Sequence, residues 1–491
     1  MKSAAERMGP RLRGDDDAGG RWINDAKVPR KRGSRVFFLL PALLLVTPAL
    51  AQPKPPTAYD RAIAAGYKAL TLCSGIFVAG RTQPQVEALE LTGIYPEYDA
   101  IVPTLTAQVD AGRHMVEVPF DAALAPRQAR WTSHAGCTIM PIGYPLGAQP
   151  VVSPAPPERA ALADRLAWPM GESGAAAPGR TPARLAGSIV RAFDGATFGS
   201  GTRTTATVIV KNGKIVSEHY ADGFDAHTAQ RTWSVAKSIT GTLIGQAVLV
   251  GAADVHRPTR LPQWASPTDP RQTITFDNLL RMASGLHSDT AGNRTDAIYF
   301  GGTAVRDEVV IWPLEAIPGT RFRYANNDIL LAALAGRSHP DGQGVNVPRP
   351  PQLFAKIGMT RTVAEQDWRG DDVLSSQIWS TARDLARFGL LYLNDGVWNG
   401  ERLLPTDWVN YVTTPSGPQP ADRAMGYGAT FWLLNNSSGV PADTYAAIGN
   451  RGQYVVIVPR RNIVIVRRGE DPAGKSFDIA RFTAEVLAAL E

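Results

Sequence analysis

Ser234 and Lys237 stand three positions apart at the head of an apolar stretch whose candidate buried positions recur at Val235, Ile239, Leu243, Ile244, Ala247 and Val248. On a helix this spacing puts the hydroxyl and the amine on one side of the first turn. A serine hydroxyl is a weak nucleophile and needs a base within hydrogen-bond reach. Lys237 can be that base if burial and the positive helix N-terminus pull its pKa down from about 10.4. The Ser234 N–H at the same helix end suits a developing oxyanion. The chemistry in prospect is acyl transfer. A surface serine beside a solvated lysine has the same spelling, and the tetrad alone does not separate the two.

A second motif lies ninety residues on, in Tyr324-Ala325-Asn326. In an extended segment Tyr324 and Asn326 point the same way, so a phenol and an amide can enter one pocket. Tyr324 can relay a proton with Lys237, and Asn326 can hydrogen-bond a substrate carbonyl. The structural alternative is a core tyrosine with Asn326 or Asn327 capping the next helix. Two cysteines cannot build a thiolate metal site, and the seven histidines show no H-x-x-x-H spacing, so no metal and no cofactor are expected.

Taken with Leu279-Leu-Arg-Met-Ala-Ser-Gly-Leu286 and Ser380-Thr-Ala-Arg-Asp-Leu-Ala-Arg-Phe-Gly-Leu-Leu-Tyr392, these motifs resemble the serine β-lactamase and penicillin-binding-protein superfamily. The resemblance is to the branch holding class C β-lactamases, related esterases and 6-aminohexanoate-dimer hydrolases, from about Ala186 to the C-terminus. It implies an acyl-enzyme on Ser234, with Lys237 and Tyr324 sharing proton transfer. The family's third motif, commonly Lys-Thr-Gly, corresponds here to Gly449-Asn450-Arg451-Gly452-Gln453. Glycine lets the strand edge approach substrate. The resemblance places substrate contacts on Asn450 and Gly452 and the second oxyanion N–H on Gln453. Asn450 carries no charge where the family lysine binds a carboxylate, and Arg451, in mid-triplet, can face away. The implied activity is therefore an esterase or amide hydrolase for a small ester, amide or short peptide-like molecule. A β-lactamase or D,D-peptidase is the alternative, as is a non-catalytic protein holding cell-wall fragments.

The elements that must position these groups begin with two hairpins. Thr205–Val210 and Ile215–Tyr220 flank Asn212-Gly213, a strong turn signal because both residues tolerate positive φ. Tyr454–Val458 and Ile463–Val466 flank Pro459-Arg-Arg-Asn462, and a helix over about Lys475–Leu490 follows. Helical patterns lie between, at Asp277–Met282, Asn327–Ala335 and Thr381–Leu393. The expected fold is α+β: an antiparallel sheet of early and late sequence, flanked by helices, with a helical insertion. The resemblance makes it β-lactamase/transpeptidase-like over residues 185–491. Residues 52–146 read as a small mixed α/β unit, with a helix at Ala58–Leu70, a strand at Cys73–Val78 and a hairpin around Asp110–Arg113. A Pro/Ala/Gly-rich linker spans 147–184, with a helical island near Glu158–Leu166.

Residues 1–51 read as a signal peptide behind a polar extension. Lys27–Arg35 is basic, Val36–Pro48 is apolar, and Ala49-Leu50-Ala51 is a cleavage site. Pro41 interrupts the apolar run, which is too short to span a bilayer. Periplasmic or secreted location follows, and in an oxidising compartment Cys73 and Cys137 are expected to pair. Ten of the 51 Lys/Arg and five of the 45 Asp/Glu fall in this leader, so the remainder of the 491 residues is nearly neutral and nucleic acid is not an expected partner. Gly469–Ser476 fits G-x-x-x-x-G-K-S between a strand and a helix. Only fifteen residues follow, too few for a later strand carrying a Mg²⁺ ligand, and no nucleotide is expected.

Overall fold

The computed structural model describes residues 55–145, 147–151, 164–175, 181–287, 295–337, 347–421 and 424–491. The leader expected in 1–51 and residues 158–163 of the expected helical island lie outside them. Helix Ala58–Phe77 (α1) opens the described chain and runs through the stretch expected as a strand at Cys73–Val78. A short apolar run does not by itself distinguish strand from helix. Here helix prevails because Gly75 presents no side chain to Val86, whose methyl lies 2.5 Å from where a Cβ would be. One face of α1 covers an antiparallel sheet of Gln108–Asp110 (β1), Met115–Val118 (β2), Arg127–Thr132 (β3) and Gly136–Ile139 (β4). The hairpin around Asp110–Arg113 is present, with Asp110 opposite Met115. A disulfide joins Cys73 on α1 to Cys137 on β4.

This segment and the rest of the described chain share a core. Ala58–Glu491 forms one compact unit, and a single apolar cluster runs from Ala62 on α1 to Val466 near the C-terminus. Ser74 Oγ donates to Glu365 Oε1 at 2.6 Å, and Arg127 Nη2 donates to the Phe300 carbonyl at 2.6 Å. Burial pushes the Glu365 carboxyl up to about 7. The described part of the Pro/Ala/Gly-rich stretch is also packed: Arg387 donates to the carbonyls of Pro169 (2.6 Å) and Gly171 (2.7 Å).

After helix Ala183–Ala192 (α2) come Thr204–Lys211 (β5) and Lys214–Tyr220 (β6), joined by Asn212 and Gly213, both at positive φ. Gln230–Arg231 (β7) pairs with Ile378–Ser380 (β9), which also pairs with Val363–Ala364 (β8). Val397–Trp398 (β10) and Glu401–Arg402 (β11) form a separate ribbon. Gly426–Tyr427 (β12), Trp432–Leu433 (β13), Tyr445–Gly449 (β14), Gln453–Val458 (β15) and Ile463–Gly469 (β16) complete a seven-stranded sheet. Its order is β12-β13-β14-β15-β16-β5-β6, and β16 lies antiparallel to β5. Early and late sequence thus close one sheet, as expected.

Side-chain alternation divides this sheet between two cores. Val208, Val210, Val455, Ile457, Val464 and Val466 face the helical insertion. Ile209, Val456, Val458, Ile463 and Ile465 face α2 and the last helix, Ile479–Ala489 (α6). That helix starts four residues later than expected because Asp478 caps it, accepting from Arg481 N. The insertion contributes Val235–Leu249 (α3), Asn326–Ala335 (α4) and Ala382–Leu393 (α5). Helix α3 is buried nearly all round, and its Lys237, Ser238, Thr240 and Thr242 side chains are hydrogen-bonded inside. The fold is the β-lactamase/transpeptidase-like arrangement of an antiparallel sheet flanked by helices.

Candidate active site

A cleft of about 360 Å³ opens where the start of α3 meets the end of β14. Ser234 sits there at the N-cap of α3, and the preceding Trp233 holds φ of +50°. That left-handed residue turns the chain sharply from β7 into the helix and leaves the hydroxyl facing the cleft. A buried guanidinium steadies the approach: Arg468 donates to the carbonyls of Gln230 (2.9 Å), Arg231 (3.1 Å) and Ser380 (2.6 Å).

Lys237, one turn into α3, is 1% exposed. Its Nζ lies 2.9 Å from Ser234 Oγ, 2.5 Å from Asn326 Oδ1 and 2.9 Å from the Ser375 carbonyl. Burial, with a smaller push from the Arg231 charge, holds the ammonium well below its ordinary pKa. The partners then fix the proton roles. Asn326 Oδ1 and the Ser375 carbonyl only accept, so they take both N–H bonds of a neutral amine. Ser234 Oγ, which can both donate and accept, is the third hydrogen-bond partner of the amine.

Tyr324 and Asn326 flank Ala325, whose φ of −138° and ψ of 133° are extended, and both line the cleft. The Tyr324 ring centroid is 5.2 Å from Lys237 Nζ and 5.4 Å from the Trp432 ring. Asn326 reaches Lys237 and begins α4, while Asn327 turns to the Val309 carbonyl.

Of the third-motif residues, Asn450 lines the cleft but Gly452 and Gln453 do not. Gln453 opposes Gly449 in the β14–β15 ladder, and its amide is held by the Gly469 carbonyl and by Arg468 Nε at 2.6 Å. The glycine that meets Ser234 is Gly449: a Cβ there would lie 2.3 Å from the Thr232 carbonyl and 3.0 Å from Ser234 N. Arg451 faces away, pairing with Glu470 at 2.7 Å and donating to the carbonyls of Leu89 and Gly93. Glu470 and Asp471 of the P-loop-like stretch are both buried, Asp471 against Arg467 at 2.8 Å.

Several cleft residues carried no signal in the sequence: Tyr95, Ser376, Met425, Trp432 and Ile448. Tyr299 also lines the cleft, while the Phe300 ring packs tilted against Tyr67 with centroids 4.5 Å apart. Arg231 lies 3.7 Å over the Trp233 ring and donates to Ser376 Oγ at 3.2 Å. Among the described residues, no Asp, Glu, Lys or Arg side chain lines the cleft, and no group of three His, Cys, Asp or Glu could hold a metal. No helix among them is long and apolar enough to cross a membrane.

The chain is 26% identical over 314 residues to the 6-aminohexanoate-dimer hydrolase of Paenarthrobacter ureafaciens, covering 55% of this chain and 74% of that one. A Bacillus anthracis structure provisionally assigned as a 6-aminohexanoate-dimer hydrolase aligns with TM-score 0.49 and 22% identity, covering 58% of this chain and 78% of the other. A class C β-lactamase structure aligns with TM-score 0.45 and 15% identity, covering 63% and 96%. Residues 189–488, more than half of the sequence, match the Beta-lactamase family, and the chain belongs to that family of serine hydrolases.

Proposed function

We propose that the chain is an exported hydrolase that cleaves an ester or amide bond of a small, weakly charged substrate through an acyl-enzyme on Ser234. The observation that carries this reading is the buried Lys237 amine 2.9 Å from the Ser234 hydroxyl, with its other two partners able only to accept. Ser234 Oγ attacks the carbonyl carbon as its proton passes to Lys237 Nζ. Tyr324 relays a proton to the leaving oxygen or nitrogen, and the bond to that atom breaks. Water then attacks the acyl-enzyme; one of its protons returns to Ser234 and the acid departs.

The oxyanion is held by the N–H groups of Ser234 and Asn450, at the end of the strand that Gly449 lets approach. This replaces the expected Gln453 donor, whose residue lies outside the cleft. Among the described residues the lining is uncharged, which favours esters and linear amides over β-lactams and peptidoglycan stems, whose carboxylate is best held by a cation. A relative named for a 6-aminohexanoate dimer puts linear amides on the substrate panel. Export is supported by the leader and by the Cys73–Cys137 disulfide, a bond that persists in oxidising compartments.

The test is a fluorophosphonate probe together with nitrophenyl esters. Labelling and turnover that vanish in a folded Ser234→Ala variant are expected. Turnover that survives the substitution rejects Ser234, and a wild-type protein that neither labels nor turns over is a binder and not an enzyme.

A further inference from the structure

Residues 189–488 carry the family match, yet one wall of the cleft comes from far upstream: Tyr95, which precedes the short helix Pro96–Asp99. Its ring meets Trp233 edge-on at 6.3 Å, next to the nucleophile, and its hydroxyl accepts from Asn450 Nδ2 at 3.4 Å. Behind it stand Tyr67 and Tyr98, each 6.4 Å away between ring centroids. The platform is fixed to the catalytic body. Arg451 donates to the carbonyls of Leu89 (3.0 Å), Thr92 (3.2 Å) and Gly93 (3.1 Å), the residues leading to Tyr95. Tyr98 donates to Asp296 at 2.5 Å, and a Cβ on Gly66 would lie 2.0 Å from the Phe300 carbonyl, so α1 sits backbone to backbone against the body.

The two phenols of the cleft belong to different aromatic groups. Tyr324 packs with Trp432 and Tyr427, whereas Tyr95 packs with Trp233, Tyr67 and Tyr98. Trp233 sets Tyr95 beside Ser234, and Trp432 sets Tyr324 on the β13 side of the cleft. In the mechanism proposed above, on which this inference rests, the leaving group takes its proton from Tyr324 and occupies that side. The acyl chain is left with the other. We infer that Tyr95 is a specificity-determining residue, whose ring closes the acyl side of the cleft and restricts the enzyme to short acyl groups.

The experiment compares kcat/KM for nitrophenyl decanoate and nitrophenyl acetate, which share a leaving group. In Tyr95→Ala the decanoate-to-acetate ratio is expected to rise about tenfold or more, the discrimination a shaped apolar pocket supplies. In Tyr95→Phe, which keeps the ring, the ratio stays near the wild-type value. Tyr95→Trp, which enlarges the wall, lowers the butyrate-to-acetate ratio and needs no cavity to be tolerated. Ser234-dependent hydrolysis with ratios unmoved by Ala and Trp overturns the acyl-wall assignment alone. A wild-type protein with no Ser234-dependent hydrolysis of any ester overturns the assignment together with the mechanism beneath it.

Discussion

Asn326→Asp gives the sharpest test of a neutral lysine acting as base. The substitution changes one atom of a side chain whose Oδ1 is 2.5 Å from Lys237 Nζ, and puts a carboxylate there. An ion pair about 4 Å between charge centres is worth about 4 kcal/mol at an effective dielectric constant of 20, equivalent to about three pKa units. Part of this is spent desolvating the new carboxylate, so Lys237 rises by about one to three units. In the proposed mechanism the working form is the free amine, present above the Lys237 pKa. Raising that pKa moves the acid limb of the kcat/KM profile to higher pH by the same amount. At a fixed pH below the new limb, activity falls about tenfold per unit and recovers as pH rises. The assay is a pH–rate profile on a nitrophenyl ester, with Asn326→Ala as the uncharged control that cannot shift the limb upward in this way. Superimposable profiles for wild type and Asn326→Asp, with the carboxylate ionised, would falsify the neutral-amine argument.

Gly449→Ala drives a methyl to 2.3 Å from the Thr232 carbonyl, so β14 must retreat from the nucleophile. A displacement of about 1 Å at reacting groups costs on the order of a hundredfold, and kcat should drop accordingly in a protein that still melts cooperatively; a loss of less than about twofold would show that the strand edge plays no part. Glu365 has its folded pKa raised from 4.5 to about 7, so the stability linked to its protonation is present below the unfolded value and lost as pH rises through the folded one. Glu365→Gln, neutral at every pH, should therefore gain stability over wild type at about pH 8 relative to about pH 5, by at most about 3 kcal/mol, seen as a higher melting temperature. Calorimetry that finds the difference independent of pH rejects this account.

What was legible in the sequence was local chemistry and short-range turns. Asn212-Gly213 specified its hairpin because both residues sit at positive φ, and Ser234-x-x-Lys237 specified a shared helix face because one turn is a short ruler. Tyr324 and Asn326 followed from the two-residue period of extended chain. The errors share a cause, which is that contact between distant segments has no spacing. Gln453 was placed by counting along a motif, but the β14–β15 turn puts it in the ladder opposite Gly449 and leaves Gly449 beside the nucleophile. The α1 extension through Cys73 depended on Gly75 meeting Val86, and Tyr95 entered the cleft on a platform that no motif marks.

The way the first segment is tied down has a consequence for the order of assembly. Ser74 on α1 waits for Glu365, 291 residues later, and the Leu89 carbonyl waits for Arg451, 362 residues later. Strand β5 likewise finds one neighbour in its own hairpin and the other only in β16. Loops of this length close slowly. A chain elongating from its N-terminus therefore carries its opening helix and first hairpins as unfinished pieces, and the groove around Ser234 is completed only when the final strands have been synthesised.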